Sequence, residues 1–124
     1  MNENISIETF KRFINEFDPN AEGGRVECLI GPVLRELQGR WKNHVLFEMS
    51  KRRSIRFNEL KKALPDITNT MLSSTLRDLE DDGLVDRAQY NEIPPHVEYS
   101  LTEKGRDLIP VWYEMFKWGM KYIY

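Results

Sequence analysis

The run from Arg56 to Leu101 restricts the fold more than any other part of this chain. Within it, "RFNELKKAL" predicts a short helix that Pro65 stops, because proline lacks an N–H and its ring clashes with the preceding turn. Thr68 is a good N-cap, and Leu72, Leu76 and Leu79 follow at helical spacing as the inner face of a second helix. Gly83 stands where a left-handed residue ends a helix. "LVDRAQY" and "HVEYSL" then read as strands, with Val97, Tyr99 and Leu101 alternating against Glu98 and Ser100. "NEIPP" between them is a stiff projecting loop, and its two prolines rigidify it at little cost.

The flanks add helices. In "SIETFKRFINEF", Phe10, Phe13, Ile14 and Phe17 form one apolar stripe, with Ser6 as N-cap and Ile5 and Phe10 placed as a hydrophobic staple. "DPNAEGG" breaks the chain. A longer helix is expected from Gly31-Pro32 through Val33, Leu34, Leu37, Trp41, Val45 and Met49, a buried stripe over about five turns. Thr102 caps a last helix over residues 103 to about 122, with Pro110 its point of kinking. The expected fold is mainly α with a small β-hairpin, a winged helix-turn-helix dimerising through terminal helices. It divides into an N-terminal extension, residues 1–27, with its amphipathic helix, and a winged domain, residues 28–124, ending in a dimerisation helix.

Composition bounds the function. At 124 residues and 40% hydrophobic, the chain has enough apolar side chains for one core. No apolar run approaches the roughly 20 residues of a membrane span, and "MNENISIETF" lacks a signal-peptide pattern, so a cytoplasmic protein without membrane contact is expected. One cysteine excludes an internal disulfide, and two histidines without paired ligand spacing argue against a metal site. No nucleophile–base pair or phosphate loop stands at usable spacing, so neither an enzyme nor a cofactor is expected. The net charge of -2 hides an uneven distribution. Residues 40 to 62 carry eight Lys/Arg and two Glu, 8 - 2 = +6; residues 1 to 30 carry three basic and six acidic side chains, 3 - 6 = -3. A phosphate-binding surface needs local positive potential, not a basic total.

The second helix of the pair carries the functional reading. With Leu72, Leu76 and Leu79 inward, Thr70, Ser74 and Arg77 point away, flanked by Asn69 and Ser73. Short hydroxyl and amide side chains let a helix lie close to the floor of the DNA major groove and hydrogen-bond base edges, and Arg77 can reach a guanine or a phosphate. The acidic run "DLEDD" comes only at the far end. Arg87, Asn91 and His96 are the wing's candidate phosphate or minor-groove contacts. The alternative is a winged-helix module redirected to protein–protein contact, which would not need the basic surroundings.

"GRWKNHVLFEM", "RFNELKKALPDIT", "MLSSTLRDLEDDGLVDR", "IPPHVEYSLTEKG" and the "WG" at 118–119 resemble the HxlR-type family of bacterial winged-helix regulators, relatives of the MarR group. The resemblance covers residues 28 to about 120. It implies a homodimeric regulator of transcription, often a repressor, that binds double-stranded DNA and whose terminal helices help form the dimer, with the helix from Thr68 as recognition helix and Arg87 to His96 as wing. Two such helices related by a two-fold axis predict a palindromic operator. Cys28 keeps the family spacing to Trp41, although the proline of the usual Cys-Pro pair sits at Pro32 instead. In some relatives this cysteine senses oxidants or electrophiles. A thiol near a helix N-terminus is activated, whereas the adjacent Glu27 favours an inert buried thiol. The terminal helix, with Leu108, Trp112, Met115, Phe116, Met120 and Ile123, is too apolar for one small domain to cover, which points to dimer packing anchored by Trp112 and Phe116. A weaker reading places an aromatic effector pocket at Trp112, Trp118 and Tyr122, for a small-molecule or redox effector that the sequence does not identify.

Overall fold

The computed structural model describes residues 5–16 and 30–124. The chain forms two units, Met1–Gln38 and Gly39–Tyr124. In the first, α1 spans Ile7–Glu16, and the Ser6 hydroxyl accepts the Thr9 N–H at 3.1 Å, the expected cap. Phe17 lies outside the described residues. Helix α2, Gly31–Leu37, starts with Pro32 in its first turn.

The five-turn helix expected from Pro32 to Met49 is two helices. Gln38 is extended (ψ 155°) and Gly39 takes φ +124°, after which α3 begins at Lys42–Met49. A left-handed glycine ends the first helix at little cost, and this outweighs the continuous apolar spacing. Val45 and Met49 are fully buried, whereas Val33 and Leu34 are 53% and 57% exposed, so the single buried stripe does not exist.

In the second unit, α3, α4 (Phe57–Ala63) and α5 (Asn69–Asp81) enclose a core of Val45, Leu46, Met49, Leu60, Leu72, Leu76 and Leu79. The turn between α4 and α5 is closed by buried Leu64 and Ile67 and by Lys61 Nζ donating to the Ile67 carbonyl. Helix α5 ends in a Schellman motif. Leu84 N–H donates to Leu79 O (2.9 Å), Gly83 N–H to Glu80 O (3.0 Å), and Gly83 holds φ +74°. Leu84 and Leu79, which the motif brings together, are both buried.

Strands β1 (Val85–Tyr90) and β2 (His96–Leu101) pair antiparallel in the register Val85↔Leu101 to Tyr90↔His96. The expected burial alternation along β2 is absent: His96 to Ser100 are all half-buried and only Leu101 is buried. The reason is position. Ile55 bridges to Tyr99 on the outer edge of β2 through two 2.8 Å hydrogen bonds, so β2 is flanked on both edges, while Leu101 is buried in the core and Tyr99 packs against it half-buried.

The expected terminal helix also divides, into α6 (Glu103–Arg106) and α7 (Leu108–Tyr122). The break falls at Asp107, ahead of Pro110, because the proline cannot bond to the carbonyl of Arg106 and its ring crowds that oxygen. Thr102 caps α6, accepting from Gly105 N at 3.1 Å, and donates its own hydroxyl to Gly83 O at 2.6 Å. The end of α5, the base of the hairpin and the start of α6 therefore meet at one junction. Among the described residues, no helix is long and apolar enough to cross a membrane.

Candidate nucleic-acid interface

Helix α5 is built as the sequence suggests. The Thr68 hydroxyl accepts the Met71 N–H at 3.0 Å, satisfying one of the orphan donors of the first turn. Leu72, Thr75, Leu76 and Leu79 are buried, while Asn69, Thr70, Ser73, Ser74 and Arg77 are all exposed. Arg77 pairs with no carboxylate among the described residues. At the other end, acidic residues oppose the negative helix terminus. Two lysines offset this: Lys42 Nζ lies 3.3 Å from Asp82 Oδ2, and Lys104 Nζ donates to Asp82 O at 2.8 Å. The acidic end is thereby tied to the domain and the polar end left open. Thr68→Ala should destabilise the domain by about 1 kcal/mol; urea unfolding checks it, and an unchanged midpoint would show that the cap contributes nothing.

The +6 segment is less basic in space than in sequence. Lys42 is held by Asp82, Lys51 by Glu48 at 2.8 Å, and Arg52 by Glu59. Glu59 Oε1 also accepts the Arg56 N–H at 3.1 Å, the reciprocal half of a capping box at the start of α4. That bond first, and Arg52 after it, hold the Glu59 carboxyl below its ordinary value. Arg40, which lies 5.3 Å over the Trp41 ring, and Arg53, Arg56 and Lys62 form no ion pair among the described residues and are the segment's available cations. Sequence spacing could not show this division, because Lys42 and Asp82 lie on different elements.

The hairpin separates the three wing candidates. Residues directly opposite share a face, so Arg87 lies beside Tyr99, whereas His96 lies beside Tyr90 on the reverse face. The His96 ring stacks on Tyr90 at 4.7 Å and 15°. Its Nδ1 is 3.6 Å from Glu92 and its Nε2 is 3.6 Å from Glu98, with the side chain 17% exposed. A phosphate approaching His96 would meet both carboxylates, so this side chain organises the wing and is poorly placed to touch DNA. Arg87 and Asn91 are exposed, and Ile93 at the loop tip is wholly so.

Residues 36–124 match the family model described as HxlR-like helix-turn-helix. The chain belongs to this family. Over 88 residues it is 46% identical to YdzF of Bacillus subtilis (strain 168), named an uncharacterized HTH-type transcriptional regulator, covering 71% of this chain and 81% of that one. A second such regulator, from Methanothermobacter thermautotrophicus, is 43% identical over 95 residues, 77% of this chain and 72% of that one. The structure of the redox regulator HypR in its oxidized form aligns with a TM-score of 0.67 at 42% identity, over 76% of this chain and 96% of that one. The chain is a transcriptional regulator of the helix-turn-helix type with a winged-helix fold.

A second surface of this HxlR-like domain is apolar. Leu108 and Trp112 on α7 are half-buried against the domain's own core. Beyond them every residue of the helix except Gly119 is exposed, including Met115 (64%), Phe116 (56%) and Met120 (54%). Only Glu114, Lys117 and Lys121 interrupt the apolar surface, and their spacing puts them on one narrow stripe. Glu114 holds Lys117 at 3.0 Å, and this hydrogen bond raises the lysine's pKa. Helix α3 and the distal half of α7 flank an open groove of about 600 Å³, lined by His44, Phe47, Trp112, Phe116, Trp118 and Tyr124 among others. Of the expected effector-pocket aromatics, Trp112 and Trp118 line this groove, while Tyr122 packs on Trp118 at 5.3 Å. Cys28, the candidate thiol sensor, lies outside the described residues.

Proposed function

We propose that this regulator is a homodimeric, sequence-specific DNA-binding protein that represses by occupying a palindromic operator. The observation that carries the reading is α5: a capped helix whose exposed face holds Asn69, Thr70, Ser73, Ser74 and Arg77, which pairs with no carboxylate among the described residues, with its acid confined to the far end. Small polar side chains permit close approach to the groove floor, and Arg77 supplies the bidentate fork suited to guanine or phosphate. Arg87 and Asn91 on the wing, with Arg53, Arg56 and Lys62, add positive or polar contacts to the backbone. His96 supports the wing from its other face.

The dimer follows from α7. An apolar helix face exposed over several turns exceeds what a monomer surface ordinarily carries, and a two-fold related copy is the simplest cover. Phe116, Met115 and Met120 are its contact residues, with Trp112 and Leu108 bracing the helix on its own domain. Two recognition helices related by that axis read half-sites about 10 bp apart or a multiple of it.

Arg77→Ala should weaken binding to the selected site by about 1–3 kcal/mol if the guanidinium contacts a base. Fluorescence anisotropy against duplexes enriched from a random library measures this. No affinity for enriched or genomic DNA at low salt would sink the DNA reading, and full affinity in the variant would remove Arg77 from the interface.

A further inference from the structure

The wing has two chemically different faces. Register places Asp86, Ala88, Tyr90, His96, Glu98 and Ser100 on one, and Arg87, Gln89, Val97 and Tyr99 on the other, above the buried base pair Val85–Leu101. The first face carries two carboxylates, is joined by Glu92 at His96, and is closed by the Tyr90–His96 stack. The second holds a single cation and no acid. Arg87 and Gln89 are both exposed, and neither side chain is bonded to another group among the described residues.

Resting on the DNA reading above, we propose that the wing engages DNA through the Arg87–Gln89 face alone, and that Gln89 is a specificity-determining residue. Duplex DNA carries about one negative charge per 1.7 Å, so the carboxylate face is repelled and the other is charge-complementary. Two residues along a strand, Arg87 and Gln89 stand about 7 Å apart, near the width of a minor groove. The arginine can neutralise a phosphate or enter a narrowed groove. Both base pairs present minor-groove acceptors and only G·C adds the guanine amino donor, so the side-chain carbonyl of Gln89, accepting from that amino group, can separate G·C from A·T where the wing lands. The two residues divide the work: Arg87 contributes to affinity on any sequence, and Gln89 contributes only on the correct one.

The test compares wild type, Arg87→Ala, Gln89→Ala and, on the opposite face, Glu98→Gln. Each is titrated by anisotropy over a salt series against the enriched duplex, a random duplex, and the enriched duplex with its outer A·T and G·C pairs exchanged. Arg87→Ala should weaken every duplex and reduce the salt slope by about 1. Gln89→Ala should keep the random-duplex affinity and the slope while losing about five- to tenfold on the enriched duplex, erasing the preference at the outer pairs. Glu98→Gln should change affinity less than about twofold, as a charge screened from the backbone does. Retained outer-pair preference in Gln89→Ala would overturn the assignment. So would a Glu98→Gln protein that gains as much affinity as Arg87→Ala loses, because the carboxylate face would then be the one on DNA. A wild-type chain that binds none of the duplexes fails one step earlier, at the DNA reading itself.

Discussion

Gly105→Ala should lower the stability of the winged domain by about 1–3 kcal/mol, although alanine is the better helix former. Gly105 is buried in α6, directly against the carbonyl of Leu84. A Cβ there would stand 2.3 Å from Leu84 O and 3.2 Å from Leu101 Cδ2. The leucine methyl can give way; the carbonyl cannot, because the Thr102 N–H donates to it at 3.1 Å and the Schellman turn holds its residue. Relief requires α6 to move off the junction that joins α5 and the hairpin. The melting temperature should fall by roughly 5–20 °C, and affinity for DNA should drop with it as the wing shifts relative to α5. A calorimetric scan decides the point. A variant melting at or above wild type would mean the junction accommodates a methyl and does not set the wing.

Phe116→Glu combined with Met120→Glu should convert the protein to monomer and cost on the order of a hundredfold in affinity for a palindromic site, because the second half-site loses its tethered partner. Both side chains are more than half exposed, so the change acts on the surface of the single domain. Trp112 is the less suitable target: it is half-buried on the core and meets Phe47 edge-on at 5.8 Å, and its loss would unfold as well as dissociate. Sedimentation at micromolar concentration, with a circular-dichroism melt to confirm folding, separates the two effects. A wild-type chain sedimenting as one copy would refute the dimer. A folded double variant that remains dimeric would move the interface away from α7.

Much of the candidate interface was legible because its signals are local. The Thr68 cap, the Leu72–Leu76–Leu79 face, the Gly83 stop and both strands of the hairpin each depend on residues a few positions apart, and each stands where its spacing put it. The same local logic mistook apolar continuity for helical continuity. Val33 to Met49 and Glu103 to Tyr122 carry uninterrupted stripes, yet each contains a backbone break, at Gln38–Gly39 and at Asp107. Gly39 and Pro110 were the available signals, and the chain obeyed the backbone constraint over the side-chain period.

From sequence alone came the capped helix α5 with its leucines inward, the hairpin that follows it and the confinement of the helix's acid to one end, since covalent neighbours and helical period determine them. Three things required the tertiary structure. The bridge from Ile55 to Tyr99 pairs residues far apart in the chain. The +6 segment loses Lys42 to Asp82 at the C-cap of α5, leaving its charge smaller in space than in sequence. Hairpin register, which turns every side chain over with each one-residue step, put Arg87 and His96 on opposite faces and joined His96 to Glu92 and Glu98. Each depends on through-space distance, which the linear order of residues does not encode.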